Sequence, residues 1–488
     1  MYLEYCDALF DNTQFINNQV ITGFFVSEAF GGGVFCKTST LILAQCIFDG
    51  NVATPDDYSE GGGLLASDGS VLQIINTIFR HNLADYRAGA YIIDSTADII
   101  DSEFIENRND GLYLREGDYF IDGCNFSGNV SGFYANGALK LYHCEFCTIV
   151  NCTISENSGS NWAVYIDSSP TEFRTCSIEN NENGGIRIED SNSLIDSCIF
   201  IENQCVGYGG GLSLESGEHE VMNSLFTNNH SGSGGGGISK WNSAILWLNN
   251  CTFSGNSADQ NGSAINLRYD NTEIRNSVFF EHQIASTINL YGAPLFQTAI
   301  KYCNFYDNES GNFSGTAIPG IGLPTYTNIN GDPCDVYHNI FLEPQFVNPE
   351  EGDFRLQWGS PCIDAGHPNS PLDPDSTIAD IGAYYFDQLL KVENPAFNQQ
   401  PTTYNLEPPF PNPFNSTVRI TYAVPQAGQV ELTLFDITGR TVGTIFNGWK
   451  APGYYDLSYN PEHLASGIYF LRMNTQNFTS TQKIVYLK

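Results

Sequence analysis

The chain has 488 residues and a formal net charge of −35, from 20 Lys/Arg against 55 Asp/Glu. So acidic a chain is repelled by phosphate backbones and anionic lipid, which argues against nucleic acid or a membrane surface as partner. No run of 18 apolar residues occurs, so no membrane span is expected.

The first residues, MYLEYCDALF, lack the basic start and apolar core of a signal peptide. They read as the interior of a repeat, and the expectation is a chain truncated at its N-terminus. The charge is uneven: residues 404–488 hold six Lys/Arg and five Asp/Glu, so residues 1–403 carry the acidity. That acidity serves either solubility in a saline setting or calcium capture by stacked carboxylates.

From Thr13 a six-residue pattern, [Cys/Ser/Thr]-x-[Phe/Ile]-x-x-Asn, returns every 22 to 33 residues. Clear copies start at Cys46, Cys124, Cys152, Cys198, Cys251 and Cys303; looser ones start at Thr13, Thr77, Ser102, Cys176, Ser224 and Ser277, the last with His282 in place of Asn. Within one repeat, GGGLSLE, VMNS and LFTNN are three short alternating strands, too short for a βαβ unit. The pattern predicts an all-β parallel β-helix of about twelve coils over residues 1–330, its Phe/Ile column stacked inward. Asn in the turns tolerates a left-handed backbone and can hydrogen-bond along a ladder. The Gly runs at 31–33, 61–63, 209–211 and 234–237 supply positive φ and are not phosphate loops. Seven of the 14 Cys share the column with Ser and Thr, so they read as small buried thiols rather than a disulfide framework. These features resemble the right-handed parallel β-helix, pectin-lyase-like superfamily.

Such relatives work along an outer strand face. Aligning the strands after the Gly runs gives a first outward column with Tyr91, Tyr113 and Tyr165, and a second with Arg115, Asp167, Glu189, Glu215, Trp241 and Arg268; the coil near 132–142 has no clear register. The tyrosines read as a strip for stacking on sugar rings, with Trp241, Arg115 and Arg268 as further glycan contacts. Asp167, Glu189 and Glu215 on consecutive coils, with Arg187 beside them, are the candidate catalytic set. Neighbouring carboxylates about 5 Å apart suit a retaining glycosidase; alternatively the three hold Ca²⁺ against an acidic sugar, with Arg as base. Equally, charged outward positions and Arg–Glu pairs are ordinary on an acidic solenoid. Lys240 falls at an inward position and reads as a register slip or a coil-edge residue.

Residues 331–386 depart from the repeat. PQFV, GDFRLQ, GSPCIDAG and DIGAYY resemble the closing segment of choice-of-anchor Q type β-helix proteins, which implies a cap on the open solenoid end. Asp364, Asp373, Asp375 and Asp380 form either a structural Ca²⁺ site or a solvated loop, and Cys334 with Cys362 either a disulfide or two thiols. Residues 387–403 read as a linker.

Residues 404–488 alternate in short strands between Pro/Gly turns, the pattern of a small Ig-like β-sandwich. PNPFN (Pro411, Asn412, Pro413, Phe414, Asn415), LFDITGRTV with Gly439 and Arg440, LASGIYFLR with Gly467 and Tyr469, and KIVYLK with Lys483 and Lys488 resemble the type A sorting domain of type IX secretion. That resemblance implies the type IX machinery at the outer membrane as partner, and a protein secreted from, or attached to, a Gram-negative cell. The function expected is glycan binding, adhesion or passive structure without glycan affinity; the alternative is a polysaccharide lyase or hydrolase, and an extracellular polysaccharide is the candidate ligand of the binding and enzymatic readings. Ca²⁺ is the one candidate cofactor.

Overall fold

The computed structural model describes residues 1–21, 28–54, 58–132, 137–269, 271–292, 298–388, 403–409, 412, 414, 418–426, 428–450, 452–461, 464, 466–476 and 478–486. The chain forms two compact units, Met1–Phe386 and Asp387–Lys488. Most of the expected linker, residues 389–402, lies outside the described residues.

In the first unit, three parallel sheets of 13, 12 and 12 described strands run the length of the solenoid. One coil comprises Leu212–Glu215, Glu218–Met222 and Leu225–Thr227, one strand per sheet. Each strand bonds in register to its equivalent on the next coil, as Leu212 does to Ile238. Every repeat position therefore becomes a column.

The aromatic column fills the core. Phe48, Phe79, Phe104 and Phe126 stack nearly parallel with centroids 4.6 to 5.0 Å apart. Ile154 and Ile178 interrupt the stack, and it resumes from Phe200 to Phe305. Offset aromatic stacking adds to area burial at this spacing.

The two Asn columns do different things. Asn76, Asn151, Asn223, Asn250 and Asn276, just before the Cys column, all have φ between 48° and 53°. The motif Asn instead forms a buried ladder: Asn82 donates from its backbone N and its Nδ2 to Asn107 Oδ1, each at 3.0 Å, and from Nδ2 to Phe48 O at 2.9 Å. The left-handed residue there is its predecessor, such as His81 (φ 54°).

The Cys/Ser/Thr column is selected by a hydrogen bond as well as by size. Ser102 Oγ donates to Ile100 O at 2.8 Å, and Cys124 Sγ donates to Asp122 O at 3.4 Å while accepting from Ser102 N. All 14 Cys are free thiols, Cys334 and Cys362 included; Cys362 Sγ accepts from Asn304 Nδ2 at 3.2 Å. Lys240 shows no register slip. It pairs with Leu214 and Leu267, is fully buried, and its Nζ donates to Tyr269 O at 3.3 Å.

Residues 313–341 close the far end, where Phe313, Ile318, Ile321 and Phe341 pack on the core. Residues 344–386 do more than cap. They lie along the outer side of the third sheet, so that Leu225, Val278 and Phe280 are buried with Phe346, Phe354, Leu356 and Ile381. Ala383 N donates to Thr252 Oγ1 at 3.0 Å and Asn250 Nδ2 to Asp380 O at 2.8 Å. An outward column that would otherwise face water is apolar because this segment covers it.

In the second unit, a three-stranded sheet (Asn405–Leu406, Val418–Val424, Gly453–Tyr459) and a four-stranded sheet (Gly428–Asp436, Thr441–Lys450, Gly467–Thr475, Thr479–Tyr486) are both antiparallel. Their apolar faces share one core, with Ile420 and Tyr422 from one sheet and Leu432, Leu471 and Met473 from the other. This is a small sandwich.

Candidate functional site

The first sheet carries the two outward columns in the expected register. Tyr91 pairs with Tyr113, Tyr165 with Arg187, Asp167 with Glu189, Glu189 with Glu215 and Glu215 with Trp241. The coil left without register is the strand Leu139–Tyr142, which puts Lys140 and Tyr142 between Tyr113/Arg115 and Tyr165/Asp167.

That coil breaks the tyrosine strip. Tyr91 and Tyr113 stack at 5.0 Å, but each is only 3% exposed, with the Arg87 guanidinium 4.6 Å from both rings. Arg87 in turn pairs with the nearly buried Glu60. These two rings are a covered apolar cluster with Leu65, not a surface on which a sugar can stack. Lys140 Nζ stands 5.1 Å from the Tyr113 ring and 5.4 Å from that of Tyr165, and burial lowers its pKa. Arg115 is tied to its neighbour Glu116 at 2.7 Å.

Further along, the side chains join. Tyr165 OH donates to Glu189 Oε2 at 2.6 Å, and burial, then this contact, raises the phenol's pKa. Arg187 donates from Nε to the other oxygen of Glu189 and from Nη2 to Glu215 Oε2 at 2.8 Å. Asn242 Nδ2 donates to Glu215 Oε1 at 2.6 Å. Asp167 accepts from Ser168 Oγ at 2.8 Å. Both glutamates are thus held by Arg187, so neither Glu189 nor Glu215 is a solitary carboxylate.

Arg187, Glu215 and Trp241 line a cleft of ≈ 390 Å³, walled by loops that carry Trp162, Val206 and Tyr208. Tyr208 meets Trp241 edge to face at 4.0 Å. Arg268, from the next coil, lies 4.2 Å from the Trp241 centroid and donates from Nη2 to Tyr208 OH at 2.9 Å. Trp162 is 8% exposed and Val206 84%, a wall and a lip. The strand columns could not reveal Trp162 or Tyr208, which sit in connections of unequal length; their signal is an aromatic just before a strand, in NWAV and GYGG.

The proposed calcium cluster is used otherwise. Asp380 accepts the backbone N–H of Asp364 at 2.7 Å and of Phe386 at 2.6 Å, Asp373 that of Asp380 at 2.9 Å, and Asp375 that of Thr377 at 3.1 Å. Among the described residues no group of three or more His, Cys, Asp or Glu is arranged to hold a metal ion. Burial raises the pKa of Asp373 to about 6 and that of Asp380 to about 7. These carboxylates organise the closing segment's backbone.

In the second unit the motif residues are clasps. Asn412 Nδ2 donates to Lys483 O at 2.7 Å and its Oδ1 accepts from Val485 N at 2.8 Å. Phe414 is 4% exposed, its ring 5.1 Å from that of Tyr486. Gly439 has φ 80° in the turn where Asp436 accepts from Thr438 and Arg440, a conformation that disfavours any Cβ. Gly467 opens the strand that buries Tyr469. Pro411, Pro413, Asn415 and Lys488 lie outside the described residues.

Residues 88–253 match the family model for the right handed beta helix region, and residues 250–268 that for the Chlamydia polymorphic membrane protein repeat. Residues 409–487 match the model for the secretion system C-terminal sorting domain. No curated protein matches the chain. Among solved structures, the enzymatically active domain of bacteriophage CBA120 tailspike protein 2 aligns at 12% identity over 97% of this chain and 71% of that one, with a TM-score of 0.24. The repeat, the three in-register sheets and the two family matches make this chain a right-handed parallel β-helix that carries a type IX C-terminal sorting domain, and hence a secreted protein.

Proposed function

We propose that the protein is exported by type IX secretion to the outer cell surface or beyond, and that its β-helix binds extracellular glycan in the cleft at Trp241. The observation that carries this is the cleft itself. Aromatic side chains from two loops and one strand converge beside a fixed Arg–Glu pair, the combination of apolar planes and oriented polar groups that ligand sites use. Binding of the full chain to immobilised polysaccharides, with Trp241→Ala as the paired variant, tests it. Retention that is indifferent to Trp241 would place any glycan site elsewhere.

A second reading, cleavage of the glycan, is favoured by one observation: Glu189 and Glu215 sit on adjacent coils and share one guanidinium. A reducing-end assay with and without Glu189→Gln/Glu215→Gln separates it from binding alone. New reducing ends that vanish in the double variant would make the protein an enzyme; no new ends from a glycan that binds leaves adhesion.

A further inference from the structure

Resting on the glycan-binding reading, we infer that the cleft takes an uncharged glycan and rejects polyuronates, sulfated polymers and polyamines alike. Among the described residues lining the cleft, Arg187 is the one cation and Glu215 the one carboxylate, and they are bonded to each other at 2.8 Å. Each has a second partner, Glu189 for Arg187 and Asn242 for Glu215, so the charge of each is countered within the site. Arg268, from the next coil, donates to Tyr208 OH and lies over the Trp241 face. The Nε/Nη2 edge of Arg187, an edge on which a guanidinium takes a carboxylate or sulfate bidentately, is thus already occupied by Glu189 and Glu215.

The long-range field works in the same direction. The acidic excess of the chain lies in residues 1–403, so a polyanion is repelled before it arrives. A polyamine would be drawn by that field but would find Glu215 neutralised at the cleft. What the lining offers is the rings of Tyr208 and Trp241 beside the buried Trp162 wall, and neutral amide and hydroxyl groups from Asn183 and Ser160. Ring planes pack on the C–H faces of pyranoses, and neutral donors and acceptors match hydroxyls. Arg187 and Ser213, both lining the cleft, stand on adjacent coils about 4.8 Å apart. An extended pyranose chain lying along the solenoid axis would thus meet a new coil at roughly each sugar.

The test is calorimetry on the full chain with cello-, xylo-, manno- and chito-oligosaccharides, beside polygalacturonate, alginate, chondroitin sulfate and chitosan. The expected result is binding of an uncharged series alone. Affinity should fall at least ten-fold in Trp241→Ala and in Val206→Asp; the second variant sits on an exposed lip and leaves folding intact. Glu215→Gln, which releases Arg187 from one partner, should introduce measurable polygalacturonate binding. If a charged polymer binds the wild type and loses affinity in Val206→Asp, the cleft is a glycan site and the uncharged assignment is wrong. If nothing in the panel binds, or if both variants leave binding unchanged, the glycan reading of the cleft falls and the inference with it.

Discussion

Arg187 reaches across one coil to Glu215, Nη2 to Oε2 at 2.8 Å, while its Nε holds Glu189 on its own strand. One guanidinium thereby fixes two carboxylates that would otherwise repel at adjacent-coil spacing, and it forms the polar floor of the cleft.

Arg187→Gln tests that arrangement. The three side chains are between 24% and 34% exposed, so the loss in global stability is small, about 1 kcal/mol or less. Binding should suffer more, because Glu189 and Glu215 would separate and the floor would lose its shape. Chemical denaturation and calorimetry on one preparation measure both; a stability loss several-fold larger than this, with affinity unchanged, would assign Arg187 to the fold alone.

His282 occupies a position that Asn fills on neighbouring coils. It accepts the ladder geometry on one side, with its backbone N 3.1 Å from Asn308 Oδ1, but its Nε2 is buried without a protein partner. His282→Asn would provide an amide for Asn256 to bond. Since an unsatisfied buried polar atom costs about 1–3 kcal/mol, the variant should be stabilised by about 1 kcal/mol or more, read as a raised urea midpoint.

The pH dependence has a distinctive sign. Burial raises Asp380 to about 7 and Asp373 to about 6, so between their unfolded values near 4 and these folded values the native state binds more protons. Their contribution to stability is therefore full at low pH and lost as pH rises through 6 to 7. Buried His219 and His282, lowered to about 4, act in the opposite sense, but only below about 6.5. Stability should decline between pH 6.5 and 8. Asp373→Asn, which keeps an oxygen for the Asp380 amide and removes the neighbouring charge, should flatten that decline. Urea midpoints across the interval decide it.

The thiol column predicts an asymmetry between two small replacements. Cys176 Sγ donates to Arg174 O at 3.3 Å, so Cys176→Ser keeps the donor and Cys176→Ala leaves that carbonyl without it. Ser should lie within about 0.5 kcal/mol of wild type and Ala about 1 kcal/mol below it in thermal unfolding. Equal destabilisation by both would mean that volume alone selects the column.

For the second unit, Phe414→Ala removes a buried ring that packs on Tyr486 and should cost about 3–5 kcal/mol, enough to unfold a small sandwich. Residues 404–488 fused behind a reporter with a signal peptide, in a type IX host, should deliver the reporter to the surface; the Phe414→Ala fusion should remain in the periplasm. A wild-type fusion retained there would remove the sorting assignment.

The repeat by itself determined the solenoid, the inward Phe column, the thiol/hydroxyl column and the outward register from Tyr91 to Arg268. In-register stacking gives each periodic position the same surroundings on every coil, so one residue type recurs where one environment recurs. The sorting sandwich was legible because its motif residues have particular tasks: Asn412 and Phe414 clasp the last strand, and Gly439 takes a positive φ that disfavours a side chain. Tertiary structure alone decided the rest. Arg87 arrives from a connection to bury Tyr91 and Tyr113; Lys140 occupies a coil whose strand follows no Gly run; Trp162 and Tyr208 stand in loops of unequal length that meet only when coils stack. Residues 344–386 lie along a side of the solenoid as well as beyond its end, and only that placement explains why Leu225 and Val278 are apolar. Periodicity encodes what neighbouring coils share, whereas a cleft is made of what they do not share.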